Sequence, residues 1–289
     1  MSLLVTGLNG FVGSYLCKAE DCLGLPADLD LRDSEGLKRA VAAIRPEFVI
    51  HLAAQSFVPR AFEDPAETFD VNFYGTFNLL QALKDAGFQG RMLFVGSGDM
   101  YGLVGEEALP VAETHPLRPR NPYAVSKVAA EALCYQWSQT EDFEIVMARP
   151  FNHIGPGQSS RFAIADFAGQ IAEIAQGRRE PVLQVGDIDV TRDFLDVRDV
   201  VNAYLALLNK GVNGEVYNVC SGHEHSVRAL IEQLVHLAGI SDLRIEQDAR
   251  RFRPAEQRRV RGDSTKLQTH TGWEPRTALV QSLSEMLGL

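Results

Sequence analysis

The sequence predicts an α/β protein: a doubly wound parallel sheet followed by a smaller C-terminal α/β lobe. Three observations predict it. Short continuous apolar runs recur through the first half of the chain, amphipathic helical patterns separate them, and a glycine triplet sits between the first run and the first helix. Continuous apolar strands alternating with helices are the pattern of a sheet buried on both faces.

Taken in order, Leu3-Leu4-Val5-Thr6 stops at Gly7 and reads as a buried first strand. Phe48-Val49-Ile50-His51, Arg91 to Gly96 and Ile145 to Arg149 are runs of the same kind. Between them, helical spacing covers Ser34 to Ile44, Asp70 to Ala86 and Pro122 to Gln139. The texture changes after Arg149-Pro150, so residues 1–150 form the first unit and 151–289 the lobe. Helices are expected there at Ala163 to Ile174, Val197 to Leu208 and Ser226 to Ala238. An apolar strand at Val216 to Val219 is expected to return to the main sheet.

Composition excludes several classes. The chain has 289 residues, 45% of them hydrophobic and 23% charged, the balance of a soluble globular protein with a sizeable core. Twenty-eight basic against 38 acidic residues give a net charge of −10, which argues against a nucleic-acid binder or a protein held on an anionic membrane. The longest uncharged stretch, Met1 to Cys17, lacks a basic start and is broken by Gly7, Gly10 and Gly13. Neither an export signal nor an anchor is expected, and the expected location is cytoplasmic. Cys17, Cys22, Cys134 and Cys220 have no metal-ligand spacing and read as reduced thiols packed as small hydrophobes. His223-Glu224-His225 has no third ligand nearby and reads as a surface turn, so no metal is expected.

Three signals carry chemistry. In Thr6-Gly7-Leu8-Asn9-Gly10-Phe11-Val12-Gly13, Gly7 permits the tight turn, Gly10 lets backbone approach a pyrophosphate, and Gly13 lets helix and strand pack closely. The helix N-terminus adds unpaired N–H groups and a partial positive charge. Asn121 and Pro122 start a helix on which Tyr123 and Lys127 share a face. A cation beside a phenol is expected to lower a pKa that starts near ~10. Ser97 follows a strand end, where the ligand crevice of a parallel sheet lies.

Together with His51-Leu52-Ala53-Ala54, Asn72 followed by Gly75-Thr76, Ser97 to Gly102 and Arg149-Pro150-Phe151-Asn152, these signals resemble the extended short-chain dehydrogenase/reductase family over almost the whole chain. The resemblance implies a Rossmann-type fold and NADP(H) or NAD(H) as cofactor. It implies that Ser97, Tyr123 and Lys127 are the catalytic set. Gly7, Gly10, Phe11, Val12, Gly13, Asp30, Leu31, Leu52, Ala53, Ala54 and Asn72, with Tyr123 and Lys127, are then the cofactor's neighbours. Asp28 or Asp33 could take the place given to Asp30. The short segment from Gly13 to Ser34 implies a second strand that is reduced or absent, and with Arg32 the only arginine candidate there, weak discrimination between NADPH and NADH.

Within that family, the nucleotide-sugar 4,6-dehydratases carry Glu where this chain has Asp99, and the 3,5-epimerase-reductases carry Cys. Neither elimination nor C3/C5 epimerisation has its usual base, which favours hydride delivery to a ketone. The alternatives are a 4,6-dehydratase or 4-epimerase with Asp99 as base, and a non-catalytic dinucleotide-sensing or RNA-binding relative. The segments Asn152 to Gln158, Val185 to Phe194 and Arg253 to Arg259 are similar to the GDP-mannose branch. That implies a GDP-linked 4-keto-6-deoxy sugar as substrate, reduced at C4 and contacted by Ser97, Gly98, Asp99, Asn152, Arg192, Arg253 and Glu256. Six arginines against two acids between Asp248 and Arg261 suit a diphosphate or an exposed basic face. The family also implies a homodimer through the helices at Asp70 to Ala86 and Pro122 to Gln139; a buried helix in a monomer would show the same pattern.

Overall fold

The computed structural model describes residues 2–248 and 257–289. The main sheet has six strands in the order β2-β1-β3-β4-β5-β9. They are β1 (Leu3–Thr6), β2 (Cys22–Gly24), β3 (Phe48–His51), β4 (Arg91–Val95), β5 (Glu144–Pro150) and β9 (Val216–Val219), and every pairing is parallel. The side-chain period of two divides these strands between two cores. Leu3, Val5, Ile50, Leu93, Val146 and Ala148 face α1 (Phe11–Ala19), α8 (Val197–Lys210) and α10 (Thr265–Thr271). Leu4, Val49, Met92, Phe94, Ile145 and Met147 face α2 (Ser34–Ile44), α5 (Gly75–Asp85) and α6 (Pro122–Thr140). A doubly wound parallel sheet is the result, and its second half lends it both α8 and β9.

The lobe has its own core between α7 (Ala163–Ala175), α9 (Val227–Leu237) and α11 (Leu279–Met286). Two small sheets frame it. One orders β10 (Glu224–Ser226), β8 (Thr191–Asp196) and β6 (Asn152–Ile154), and the other pairs β11 (Arg244–Gln247) with β7 (Val182–Val185). Short helices α3 (Val58–Glu63) and α4 (Pro65–Phe69) lead into α5.

Two local features bear on the site, the first as expected and the second not. The second strand is present but only three residues long. The helical pattern from Asp70 opens with a π-helical turn, Asp70–Tyr74, before α5 begins at Gly75. Such wide turns recur at functional sites, and here Asn72 lies inside one, buried and bonded on every side of its amide. Of the cysteines, Cys134 and Cys220 are buried and Cys22 half-buried, but Cys17 is exposed on α1, where no core reaches it.

Candidate active site

The glycine turn is a backbone cradle with no room for side chains. Gly7 has φ +75, and a Cβ there would lie 2.8 Å from the Ala53 nitrogen. A Cβ at Gly13 would meet the Gly7 and Leu8 carbonyl oxygens at 2.5 Å. Gly10 caps α1 without a side-chain bond, so the first amides of that helix stay available to an anion. Phe11 stacks on His153 across the turn, with ring centroids 6.1 Å apart and planes 5° from parallel. Leu52, Ala53 and Ala54 leave the end of β3 beside this cradle. This donor set, amides without side-chain competition, fits the pyrophosphate of a dinucleotide.

Asp30 and Leu31 lie beyond β2. Leu31 is buried against α5, where a Cβ on Gly75 would touch it at 2.9 Å. Asp30 pairs with Arg32 at 2.5 Å, and the Arg32 hydrogen bonds hold its carboxyl below the usual carboxylate range. The acid that would contact a ribose and the base that would contact a 2′-phosphate are therefore partners.

The catalytic candidates converge at the end of β4. Asn121 caps α6 by accepting from the Ala124 amide at 2.7 Å, with Pro122 in the first turn. Tyr123 and Lys127 then follow on the inner face, both buried. Ser97 caps a 3₁₀ turn, Gly98–Tyr101, its Oγ accepting from the Asp99 amide at 3.2 Å. Ser97 also lies close enough to Tyr123 to influence its phenol. Burial, then the Asp99 charge, push the Tyr123 phenol well above its usual range, while Ser97 pulls it down. This corrects the expectation that Lys127 would lower it: desolvation of the phenolate dominates, and the lowering influence comes from Ser97, not from Lys127. Lys127 itself, 3% exposed, sits 4.8 Å from the Phe94 ring. Burial lowers it to about 8, against the opposing influence of Cys134 and Glu131.

Behind this set lies an ion pair that was not anticipated. Arg149 on β5 donates to both Glu131 oxygens, at 2.9 and 2.5 Å, one helical turn beyond Lys127. The same guanidinium donates to the Tyr101 hydroxyl at 2.9 Å, and that hydroxyl donates to Asn218 at 2.6 Å. Arg149 thereby fastens the Ser97–Tyr101 turn to α6 and β9. The only signal was a charged residue inside an apolar strand.

On the substrate side, a Cβ at Gly98 would press on the Phe151 ring at 3.3 Å. Asn152 is exposed at the start of β6, and Arg192 lies one strand away on β8. Arg192 donates to the carbonyls of Thr191 and Gln257 at 2.7 and 2.8 Å. Arg253 and Glu256, with Arg250 and Arg251, lie outside the described residues. The remaining arginines of that basic run are engaged within the chain: Arg258 with Asp187, Arg259 with Glu106 and Glu224, and Arg261 with the Gly222 carbonyl. The arginine-rich segment is thus in part an internal latch. Asp193 is a second unanticipated anchor, its buried carboxylate accepting from Ser221, Gly222 and Gly262. Among the described residues no group of three or more His, Cys, Asp or Glu could hold a metal ion, and no helix is long and apolar enough to cross a membrane.

Comparison with known proteins matches residues 27–286 to the family described as GDP-mannose 4,6 dehydratase. GDP-6-deoxy-D-mannose reductase of Pseudomonas aeruginosa is 53% identical over 292 residues, 99% of this chain and 95% of that protein. A GDP-mannose 4,6-dehydratase of Vibrio cholerae is 30% identical over 89% of this chain and 76% of its own. Among solved structures, RMD from Pseudomonas aeruginosa complexed with NADPH superposes with a TM-score of 0.94 at 50% identity, covering 100% of this chain and 98% of that one. Thermus thermophilus UDP-glucose 4-epimerase with NAD gives 0.87 at 30% identity, covering 100% and 98%.

Proposed function

The chain belongs to the GDP-mannose 4,6-dehydratase family of extended short-chain dehydrogenases/reductases, and from that premise we propose that it reduces the C4 ketone of GDP-4-dehydro-6-deoxy-D-mannose to give GDP-D-rhamnose, with NADPH or NADH as reductant. The observation that carries this reading is the convergence of the buried Tyr123 and Lys127 of α6 with Ser97 at the end of β4, where burial keeps the phenol in its proton-bearing form. It stands in a chain 53% identical to a reductase of that name.

The nicotinamide supplies the hydride when bound; the rest falls to the chain. Gly7, Gly10, Phe11, Val12 and Gly13 hold the pyrophosphate with backbone amides. Asp30, Leu31, Leu52, Ala53, Ala54 and Asn72 surround the adenosine side and the approach to the ribose. Lys127, mostly charged at neutral pH with a pKa of about 8, holds the nicotinamide ribose and stabilises Tyr123 after proton loss. Tyr123 donates its proton to the C4 oxygen as negative charge develops there, a general-acid contribution of about 10²–10⁴ in rate. Ser97 donates a hydrogen bond to the same oxygen. Gly98, Asp99, Asn152 and Arg192, with Arg253 and Glu256, receive the GDP-sugar. The shorter Asp99 stands where a dehydratase carries its glutamate, which disfavours removal of the C5 proton.

The outer faces of the π turn, α5 and α6 support a homodimer: Tyr74, Phe77, Val125 and Ala132 are exposed there. Light scattering at twice the chain mass would agree, and a strict monomer would remove that part of the reading.

The test is NADPH and NADH oxidation with the 4-keto sugar generated from GDP-mannose by a separate dehydratase, with the product identified by NMR. Oxidation that yields GDP-D-rhamnose is expected. Conversion of GDP-mannose without the helper enzyme would make this chain a dehydratase, and a 6-deoxytalose product would reverse the facial assignment.

A further inference from the structure

We propose that His51 is a positioning residue: in its neutral Nε2–H form it is the central link of a one-directional hydrogen-bond chain that ties the glycine cradle to the catalytic helix. The direction follows from donor counting. Thr76 Oγ1 lies 2.6 Å from the Asn72 carbonyl, to which it must donate its single hydrogen. It can therefore only accept from His51 Nε2, 2.9 Å away. His51 Nδ1 is then an acceptor, and Thr6 Oγ1, at 2.6 Å, donates to it. Thr6 Oγ1 in turn accepts the Ala53 amide at 3.2 Å. Every polar atom of the imidazole is satisfied in one tautomer only.

Both ends of the chain reach residues that do work. Thr6 precedes Gly7, and Ala53 is the residue against which Gly7 is pressed. At the other end Asn72 accepts from the Gln55 amide at 2.8 Å and donates to Ser126 Oγ at 2.9 Å. Ser126 donates to the Tyr123 carbonyl at 2.7 Å, inside the first turn of α6. The two strand-end loops that cradle the pyrophosphate are thus held in register with the turn that presents Tyr123. The ring is buried, and burial together with the Lys127 charge keeps it neutral, with a pKa of about 3. A histidine fits this place because one rigid ring spans two hydroxyls with an acceptor at one end and a donor at the other.

The inference rests on the reductase reading for its kinetic consequence but not for its structural one. Histidine-¹⁵N NMR of the sugar-free protein is the first experiment, with His51 assigned by its loss in His51→Phe. One pyrrole-type Nε2 and one pyridine-type Nδ1, unchanged between pH ~5 and ~8, are expected. A protonated Nδ1, or titration in that range, would overturn the proposal. The second experiment uses Thr76→Val, which keeps the volume but removes the hydroxyl, and Thr76→Ser, which restores it. The valine variant should bind NADPH about tenfold more weakly and turn over about tenfold more slowly, with serine restoring both to within about twofold. A valine variant equal to the parent in NADPH affinity would also overturn it. Both the NMR and NADPH readings need no sugar, so failure of the proposed reaction leaves them decisive.

Discussion

Replacing Lys127 by methionine should make the protein more stable while removing its activity. The lysine is 3% exposed, and burial brings it from an ordinary 10.5 to about 8, so the folded chain binds this proton about 300-fold more weakly than the unfolded one. That ratio corresponds to about 3 kcal/mol against folding. Because the unfolded state binds the proton more tightly, the penalty is complete below pH 8 and fades between pH 8 and 10.5. Above that window it is gone, so this group makes stability rise with pH. Methionine carries a stem of similar length and can keep contact with the Phe94 ring, but it brings no charge to desolvate. For a chain of this size about 3 kcal/mol corresponds to a rise of roughly 5 °C in Tm. Thermal unfolding of both proteins at pH 7 and pH 10 is the assay. Lys127→Met should be the more stable at pH 7, with the gap closing by pH 10, and its kcat/KM should fall by about 100-fold or more. A variant less stable than its parent at pH 7, or a gap that ignores pH, would refute the reasoning.

Three further outcomes are expected. Tyr123→Phe removes the proton donor but little volume, so turnover should fall by about 10²–10⁴ while NADPH affinity, measured by fluorescence titration, stays unchanged. Arg149→Met strands the Glu131 carboxylate, 6% exposed, without its partner, and urea unfolding should register a loss of about 3–5 kcal/mol. Gly7→Ala forces a side chain into positive φ and against the Ala53 nitrogen; it should cost more than about 1 kcal/mol of stability, and calorimetry should find weakened NADPH binding.

Much of this was legible in the order of residues because the relevant physics is local. The strands β1, β3 and β9 begin and end where their apolar runs do, since a strand buried on both faces needs nothing but apolar residues. Asn121-Pro122 announced α6 because a cap and a first-turn proline act within three residues of one another. The features that sequence alone hides depend on distant pairs. Arg149 and Glu131 are eighteen residues apart on different elements, and their pairing inverts what a charge in an apolar strand would suggest. The neighbour four residues on suggests a lowered Tyr123 phenol, whereas the surrounding core decides its acidity. The π turn at Asp70 was hidden because its composition is that of an ordinary helix; only the inward amide of Asn72 distinguishes it. Arg258 and Arg259 suit a diphosphate or an exposed face equally well in sequence, and it takes Asp187, Glu106 and Glu224, far off in sequence, to engage them within the chain.

The pairing of β9 with β5 has a consequence for how the chain comes into being. β5 ends at Pro150, yet its neighbour begins only at Val216. While the intervening residues emerge from a ribosome, at roughly 5–20 per second, the edge of β5 waits several seconds with unpaired amides and carbonyls. During that interval the apolar face that α8 will cover is bare as well. An open strand edge beside an uncovered apolar face is a template for association with other chains. This interval, more than any weakness of the finished fold, is where aggregation during synthesis should concentrate, and chains halted between residues 150 and 216 should be the ones most avidly held by chaperones.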